Sequence, residues 1–344
     1  MPRLGRPRAR LPAGVRTGGI LGVMLSVFVT HAEPDDPLSA LQIGERPDPE
    51  PSEGWTTVRV RAASLNHHDV FSLRGVGLPA ERMPMILGTD AAGLDADGNE
   101  VIVHSVIATP GWTGDETLDP KRTLLSELHQ GTFAEQVMVP RANVLPKPAE
   151  LSFAEAACLP TAWLTAYRML FVKSGLRPGQ TVLVQGASGG VSTALISLGH
   201  AAGLRVWVTG RSEAKRDAAL ALGADAAFEP GARLPERVDG VMESVGEATW
   251  SHSLKALKPG GVLVTCGATT GFGPSAELNR VFFTQLSVIG STMGTRAELG
   301  SLVEMCRVTG LRPIIDAEIP LRDAREGFER MISGNTAGKI VFTV

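Results

Sequence analysis

The sequence predicts an α/β protein in two parts: a doubly wound parallel sheet and a smaller, mostly antiparallel β unit. Three observations carry this. The stretch Thr181 to Ala194, TVLVQGASGGVSTA, runs from an apolar β-type segment through a glycine-rich turn into apolar residues of helical period. Strand and helix patterns then alternate behind it. From Met24 to about Val144, by contrast, short β-type runs are punctuated by Pro, Gly and Asp with no helical alternation.

The glycine-rich turn has a chemical reading. Glycines let backbone N–H groups approach an anion, and the helix that follows aims its free N–H groups and positive dipole end at the same point. A pyrophosphate would therefore sit at the turn that opens at Gly186. A second strand, Leu204 to Thr209, a helix from Ser212 to Leu222 and a third strand near Asp225 to Phe228 complete the unit a dinucleotide needs. Its second strand ends in VTGRSEAKR. Where a carboxylate would hold a ribose hydroxyl, Gly210 stands instead, followed by Arg211, Ser212 and Lys215. A guanidinium, a hydroxyl and an ammonium suit a 2′-phosphate, so NADP(H) is expected over NAD.

Length and composition bound the rest. The chain has 344 residues, enough for two domains, and a net charge of −3. So balanced a surface does not recommend nucleic acid or an anionic membrane as a partner. The three cysteines, Cys158, Cys266 and Cys306, are widely spaced and read as buried thiols of a reducing, cytoplasmic compartment. Residues 1–23 carry five arginines and no acid. With the apolar run Gly18 to Val29 they imitate a secretory leader, but cleavage there would remove a β-strand. They read as a disordered extension or a mis-called start, and without them the net charge is near −8.

Taken in order, the runs Val27–Thr30, Thr57–Ala62, Glu100–Ser105 and Phe133–Val139 predict strands of the β unit. The polar segment Thr109 to Gln130 is its mobile excursion. Ser152 is placed to cap a helix from Phe153, and Trp163 to Lys173 continues helically. Val238–Val245, Gly261–Gly267 and Leu286–Ser291 bring the parallel sheet to six strands. Residues from Pro313 onward return to the first domain.

The motifs ILGTDAAG, GTFAEQVMVP, LSFAEAACLPTAWLTAYRML, VLVQGASGGVS, LKPGGVLVTCGATTG, GSTMGT and SGNTAGKIV stand in one order from Met24 to Val344. In that order the chain resembles the medium-chain dehydrogenase/reductase superfamily, in its quinone oxidoreductase-like and zinc-type alcohol dehydrogenase-like branch. The resemblance implies a GroES-like catalytic domain from residues 24–147 and 315–344, a Rossmann domain from 148–314, a cleft between them and a homodimer. Zinc-dependent members place Cys, His and Cys where this chain has Asn66, Thr89 and Thr161, and no cysteine occupies the excursion. No zinc is expected.

His67 and His68 are read as an extended pair facing opposite ways, which disfavours a shared metal. One of them, His67 in the first instance, is a candidate to contact cofactor or donate a proton. Asp69 is read as holding the local loop. Without a Lewis acid, the expected chemistry is hydride transfer from NADPH to a quinone or α,β-unsaturated carbonyl, which carries the developing charge on its own oxygen. Asn66 and Thr89 are the candidate donors to that oxygen. Tyr167 is a candidate proton donor or a packing residue, with Phe71 standing where some reductases have tyrosine. The matching motifs imply that Ser188, Gly189, Gly190 and Val191 contact the pyrophosphate, that Thr165, Ser244, Cys266, Gly267, Ala268, Met293 and Lys339 are further cofactor contacts, and that Phe228 stacks on adenine. Reduction of an enoyl thioester is the alternative activity. A non-catalytic NADPH-binding redox or interaction module is another.

Overall fold

The computed structural model describes residues 22–344. Its organising layer is a parallel sheet of six strands: β1 (Thr181–Gln185), β2 (Arg205–Thr209), β3 (Ala226–Phe228), β4 (Val238–Glu243), β5 (Leu257–Thr265) and β6 (Ser287–Gly290). Their spatial order is β3-β2-β1-β4-β5-β6, every pairing parallel. This is the doubly wound order, with the switch of direction between β1 and β4. The inner strands are buried on both faces, which is why Val182, Leu183 and Val184 read as an unbroken apolar run. The crossovers include α1 (Gly190–Ala201), α2 (Glu213–Ala221), α3 (Glu247–Ala256) and α4 (Leu278–Phe283), and α5 (Arg296–Thr309) follows the last strand. One face of the sheet buries Val182, Val184 and Val264 among Leu159, Trp163, Leu195 and Leu198. The other buries Leu183, Trp207, Val241 and Leu263.

The second layer is mostly antiparallel. Strands Val144–Pro146, Glu100–Val103, Asp90–Leu94, Trp55–Ser64, Lys339–Thr343 and Ile315–Pro320 lie in that order, with Gln136–Pro140 also pairing Trp55–Ser64. A three-stranded sheet of Leu41–Pro47, Val23–Val29 and Met85–Ile86 closes the other side. Phe133, Phe328 and Phe342 meet at its centre, Phe133 edge-on to Phe342 at 5.0 Å between ring centroids. The β unit has a core of its own, but its Ala62, Ala92, Ile102, Leu145 and Val341 also pack into the core of the parallel sheet, and the chain's last strand, Lys339–Thr343, belongs to the β unit. The mostly antiparallel fold is that of the GroES-like domain.

Four sequence expectations need correction. Val23 is the first residue of the strand Val23–Val29, so the extension assigned to residues 1–23 cannot include it. The rest of that assignment lies outside the described residues, apart from Gly22. The segment at His67 and His68 is a helix, His67–Leu73, because Asp69 accepts the Asn66 N–H at 2.9 Å and starts a turn there. The helical run after Cys158 begins at Leu159, before Trp163, and continues to Lys173 through two π-helical segments, Leu159–Trp163 and Arg168–Lys173. The excursion Thr109 to Gln130 is tied down: Thr123–Leu124 pairs with Val106–Ile107, and Asp115 is bound by Arg168. Ser152 does cap its helix, accepting the Glu155 N–H at 3.1 Å.

Candidate active site

The three positions aligned with zinc ligands converge. Asn66, at the end of a long strand, sends its Nδ2 to Thr89 Oγ1 at 3.2 Å, and the Thr89 and Thr161 hydroxyl oxygens are 3.1 Å apart. Asp90, wholly buried, is the hub beneath them. Its carboxylate accepts from Thr161 Oγ1 at 2.5 Å, Ser64 Oγ at 2.7 Å and Asn66 Nδ2 at 2.8 Å. Lys339 enters from the last strand, 2% exposed, with Nζ 2.7 Å from the Leu65 carbonyl, 2.5 Å from Asn66 Oδ1 and 3.7 Å from Asp90 Oδ2. Burial pushes the Asp90 pKa up, while Lys339 and the three hydrogen bonds pull it back.

This wiring changes two sequence assignments. Asn66 faces inward, its amide hydrogens taken by Asp90, Thr89 and the Ser64 carbonyl, and Thr89 is 1% exposed. Neither presents a hydrogen to the cleft in this arrangement. Lys339 sends its ammonium away from the glycine turn and into the cluster, and only its aliphatic stem meets the turn. A Cβ on Gly190 would stand 2.7 Å from Lys339 Cδ. The partly exposed member of the cluster is Thr161, which sequence reasoning noted only as a lost metal ligand. Its partnership with Asp90, a residue adjacent to a recognised position, was the available signal.

The donor set does not fit zinc. An amide and two hydroxyls are poor ligands, their hydrogens and lone pairs are committed, and an ammonium already neutralises the carboxylate.

Other predicted residues lie on the elements around this cluster. Asp69 holds the loop, accepting from Asn66 N–H and, at 3.0 Å, from Gly88 N–H. His67 is exposed, and the bulk of surrounding protein and the Lys339 charge lower its pKa. His68 Nε2 lies 3.0 Å from Glu127 of the excursion. Burial opposes its protonation, but Asp69 and Glu127 outweigh that and raise its pKa to about 9. Tyr167 packs on Phe171 at 4.9 Å between centroids, while Thr165 is buried on the same helix. Phe71 is half-buried in its helix.

The glycine turn keeps an open cradle. Gly186 has φ +98°, a left-handed conformation that favours glycine, and a Cβ there would sit 3.0 Å from the Ser192 hydroxyl. Beyond Gly189, space is open to 4 Å, and the first N–H groups of α1, starting at Gly190 and Val191, have no partner within the helix. The Ser188 carbonyl accepts from Gly338 N–H at 2.9 Å, tying the turn to the C-terminal segment. Those features fit a dinucleotide pyrophosphate.

At the end of β2, Gly210 is more crowded than its sequence position implied. A Cβ would meet Arg216 Cγ at 2.9 Å and Ala187 Cβ at 3.1 Å, so an acidic side chain has no room. Arg216, overlooked in the sequence, donates to the Gly210 carbonyl at 2.9 Å. Ser212 caps α2, accepting from Lys215 N–H at 3.4 Å, and Lys215 Nζ donates to the Gly334 carbonyl at 2.7 Å. Burial and the neighbouring Arg211 lower the Lys215 pKa. Phe228 lies edge-on to Trp207 at 5.4 Å, and its carbonyl accepts from Gly210 N–H.

Beside β5 and β6 a cleft of about 440 Å³ opens between the excursion and the sheet, lined by Leu118, Arg168, Lys173, Ala268, Phe272 and Thr292 among others. Gly267 also lines it, with Ser244 and Cys266 on the neighbouring loops. Burial pushes the Cys266 thiol up to about 12, so it is no thiolate. Met293 has φ +47°, and Gly294 beside it receives the buried His104 Nε2 at 2.9 Å.

Comparison with known proteins agrees with this architecture. A family profile described as "Alcohol dehydrogenase GroES-like domain" matches residues 52–149, and one described as "Zinc-binding dehydrogenase" matches residues 190–307. The zinc-type alcohol dehydrogenase-like protein YogA of Leptosphaeria maculans is 30% identical over 344 residues, covering 88% of this chain and 94% of the relative. The acryloyl-coenzyme A reductase of Metallosphaera sedula is 27% identical over 323 residues, covering 88% and 96%. A crystal structure of an NAD-dependent alcohol dehydrogenase superposes with a TM-score of 0.86 at 33% identity, covering 93% of this chain and all of that one. With sequence, sheet order and domain pairing in agreement, the chain belongs to the medium-chain dehydrogenase/reductase superfamily of oxidoreductases.

Proposed function

We propose that the protein reduces the carbon–carbon double bond of an enoyl thioester with NADPH. The observation that carries this is the cluster at Asp90. Where the family name implies a metal, this chain holds an ammonium buried behind an amide and two hydroxyls, and it offers no Lewis acid to an unactivated carbonyl. The acceptor must then delocalise the arriving charge itself, as a conjugated thioester does. The kinship to an acryloyl-coenzyme A reductase supports the thioester, the alternative of the sequence reading, over a quinone or free enone.

Bound NADPH supplies the hydride. The chain's part is to bind and orient. The N–H groups opening α1 hold the pyrophosphate, Arg211 and Lys215 take the 2′-phosphate, and the crowding at Gly210 excludes a competing carboxylate. Gly267, Ala268 and Thr292 wall the cleft in which nicotinamide and acyl group meet. Thr161, the cluster's exposed edge, borders the acyl end of the substrate, its one hydroxyl hydrogen going to Asp90. Tyr167 is packed, Phe71 lacks a hydroxyl, and the surrounding protein and the Lys339 charge disfavour a protonated His67, so the α-carbon takes its proton from solvent. The homodimer implied by the resemblance is supported by β6, one of the sheet's two unpaired edges, where Val288 and the nearby Phe282 and Phe283 are exposed.

The test is NADPH oxidation by the full chain with crotonyl-CoA and acryloyl-CoA, against quinones, enones and aldehydes, with NADH and a chelator as controls. Chelator-insensitive turnover of the CoA esters is expected. Aldehyde reduction abolished by chelator overturns the proposal. NADPH binding without turnover of any acceptor overturns it in favour of the non-catalytic module.

A further inference from the structure

The cleft carries two cations, and only one is available to a ligand. Arg168 is 1% exposed and both its terminal nitrogens are engaged: Nη1 donates to both Glu298 oxygens, at 2.9 and 2.8 Å, and Nη2 binds Asp115, while its Nε is buried out of a ligand's reach without a partner. Lys173, five residues further along the same helical run, is partly exposed. Among the described residues it makes neither an ion pair nor a side-chain hydrogen bond. Two apolar side chains share the cleft with it, Leu118 at 67% and Phe272 at 76% exposure. Isolated exposed apolar residues are ordinary, but two in one cleft with an unpaired cation form an amphipathic wall.

Distance gives that wall a ligand. The helical run from Leu159 to Lys173 is unbroken, so Thr161, at the Asp90 cluster, and Lys173 stand at its two ends. Twelve residues at the α-helical rise separate them by about 18 Å along the axis, a little less through the π-helical turns. In an extended phosphopantetheine arm about thirteen bonds separate the thioester sulfur from the phosphorus. At the backbone's advance per bond this is about 16 Å. A thioester whose carbonyl lies at Thr161 and whose arm follows this helical span therefore has the length to bring its phosphate to Lys173. Its gem-dimethyl and methylene groups run past Leu118 and Phe272.

We propose that Lys173 is the phosphate-binding residue for the phosphopantetheine arm of the substrate, with Leu118 and Phe272 as the apolar wall of the arm's channel. The inference rests on the thioester reading above and adds to it the part of the substrate remote from the double bond. A free CoA ester and a carrier-bound acyl group share this chemistry.

The experiment compares crotonyl-pantetheine with crotonyl-4′-phosphopantetheine, two esters differing only in the phosphate, using the full chain, K173M and K173R with NADPH. The wild type is expected to show a KM about tenfold lower for the phosphorylated ester, the scale of one partly exposed charge pair strengthened by a cleft. K173M erases that difference and K173R restores most of it. Crotonyl-CoA and crotonyl-loaded acyl carrier protein, run in parallel, tell the two sources apart. A lower KM for either supports the proposal if K173M raises it. Reduction of both small esters with equal KM, or an equal KM rise for both in K173M, overturns the Lys173 assignment and leaves the thioester reading standing. No reduction of any thioester overturns the reading itself, and the assignment with it.

Discussion

Replacing Lys339 with methionine tests whether one ammonium sustains the polar cluster. The substitution keeps the stem over Gly190 and removes a charge that stands 3.7 Å from the wholly buried Asp90 carboxylate. It also strips a donor from the Leu65 carbonyl and from Asn66 Oδ1. Breaking a buried pair from one side costs about 3–5 kcal/mol, because the remaining charge is left without its partner. The loss has a definite pH dependence. Burial already raises the Asp90 pKa against the pull of Lys339, and without Lys339 it climbs further above its unfolded value. A carboxyl with a raised folded pKa favours the fold when protonated, and that contribution is lost as pH rises through the folded pKa. The K339M deficit is therefore larger at pH 8 than at pH 5, shrinking by up to about 1.4 kcal/mol per unit between the variant's folded pKa and the wild type's. Urea unfolding of wild type and K339M at both pH values measures it, and adding Asp90→Asn to K339M should recover part of the loss at pH 8. A deficit under about 1 kcal/mol at pH 8, or one that grows on acidification, refutes the argument.

Three further outcomes are expected. His68, raised to about 9 by Asp69 and Glu127 against its burial, stabilises the fold fully below its unfolded pKa of 6.5 and loses that contribution as pH rises to about 9. The loss is at most about 3 kcal/mol. His68→Gln should flatten the stability profile between those limits, as read by urea midpoints across that range. Gly190→Ala places a methyl 2.7 Å from Lys339 Cδ, in a side chain held at its tip, and 3.3 Å from Ala162 Cβ. About 1–3 kcal/mol of stability and much of the NADPH affinity should go, checked by thermal unfolding and by titration of cofactor fluorescence. Arg211→Ala with Lys215→Ala should raise the KM for NADPH at least about tenfold while moving that for NADH little, since only the former carries the 2′-phosphate. An equal effect on both cofactors would count against a phosphate site at the end of β2.

The sequence by itself determined what is local. Val182–Val184, the glycines after them and the helical period through Leu198 specify strand, turn and helix within a few residues, so the parallel sheet and its glycine-rich turn were legible. So was the chemistry of Asn66, Thr89 and Thr161, because residue type alone makes them poor metal ligands. Whether His67 and His68 lie on a strand or a helix was not legible, since a single capping carboxylate at Asp69 overrode an extended pattern. Tertiary structure alone decided which groups meet. Lys339 stands 273 residues from Asn66, and Arg168 is 130 from Glu298. No periodicity links such positions. Folding delivers an ammonium to Asp90 and engages both terminal nitrogens of Arg168, and these placements decide that the cluster balances its own charge and that Lys173 stays unpaired among the described residues.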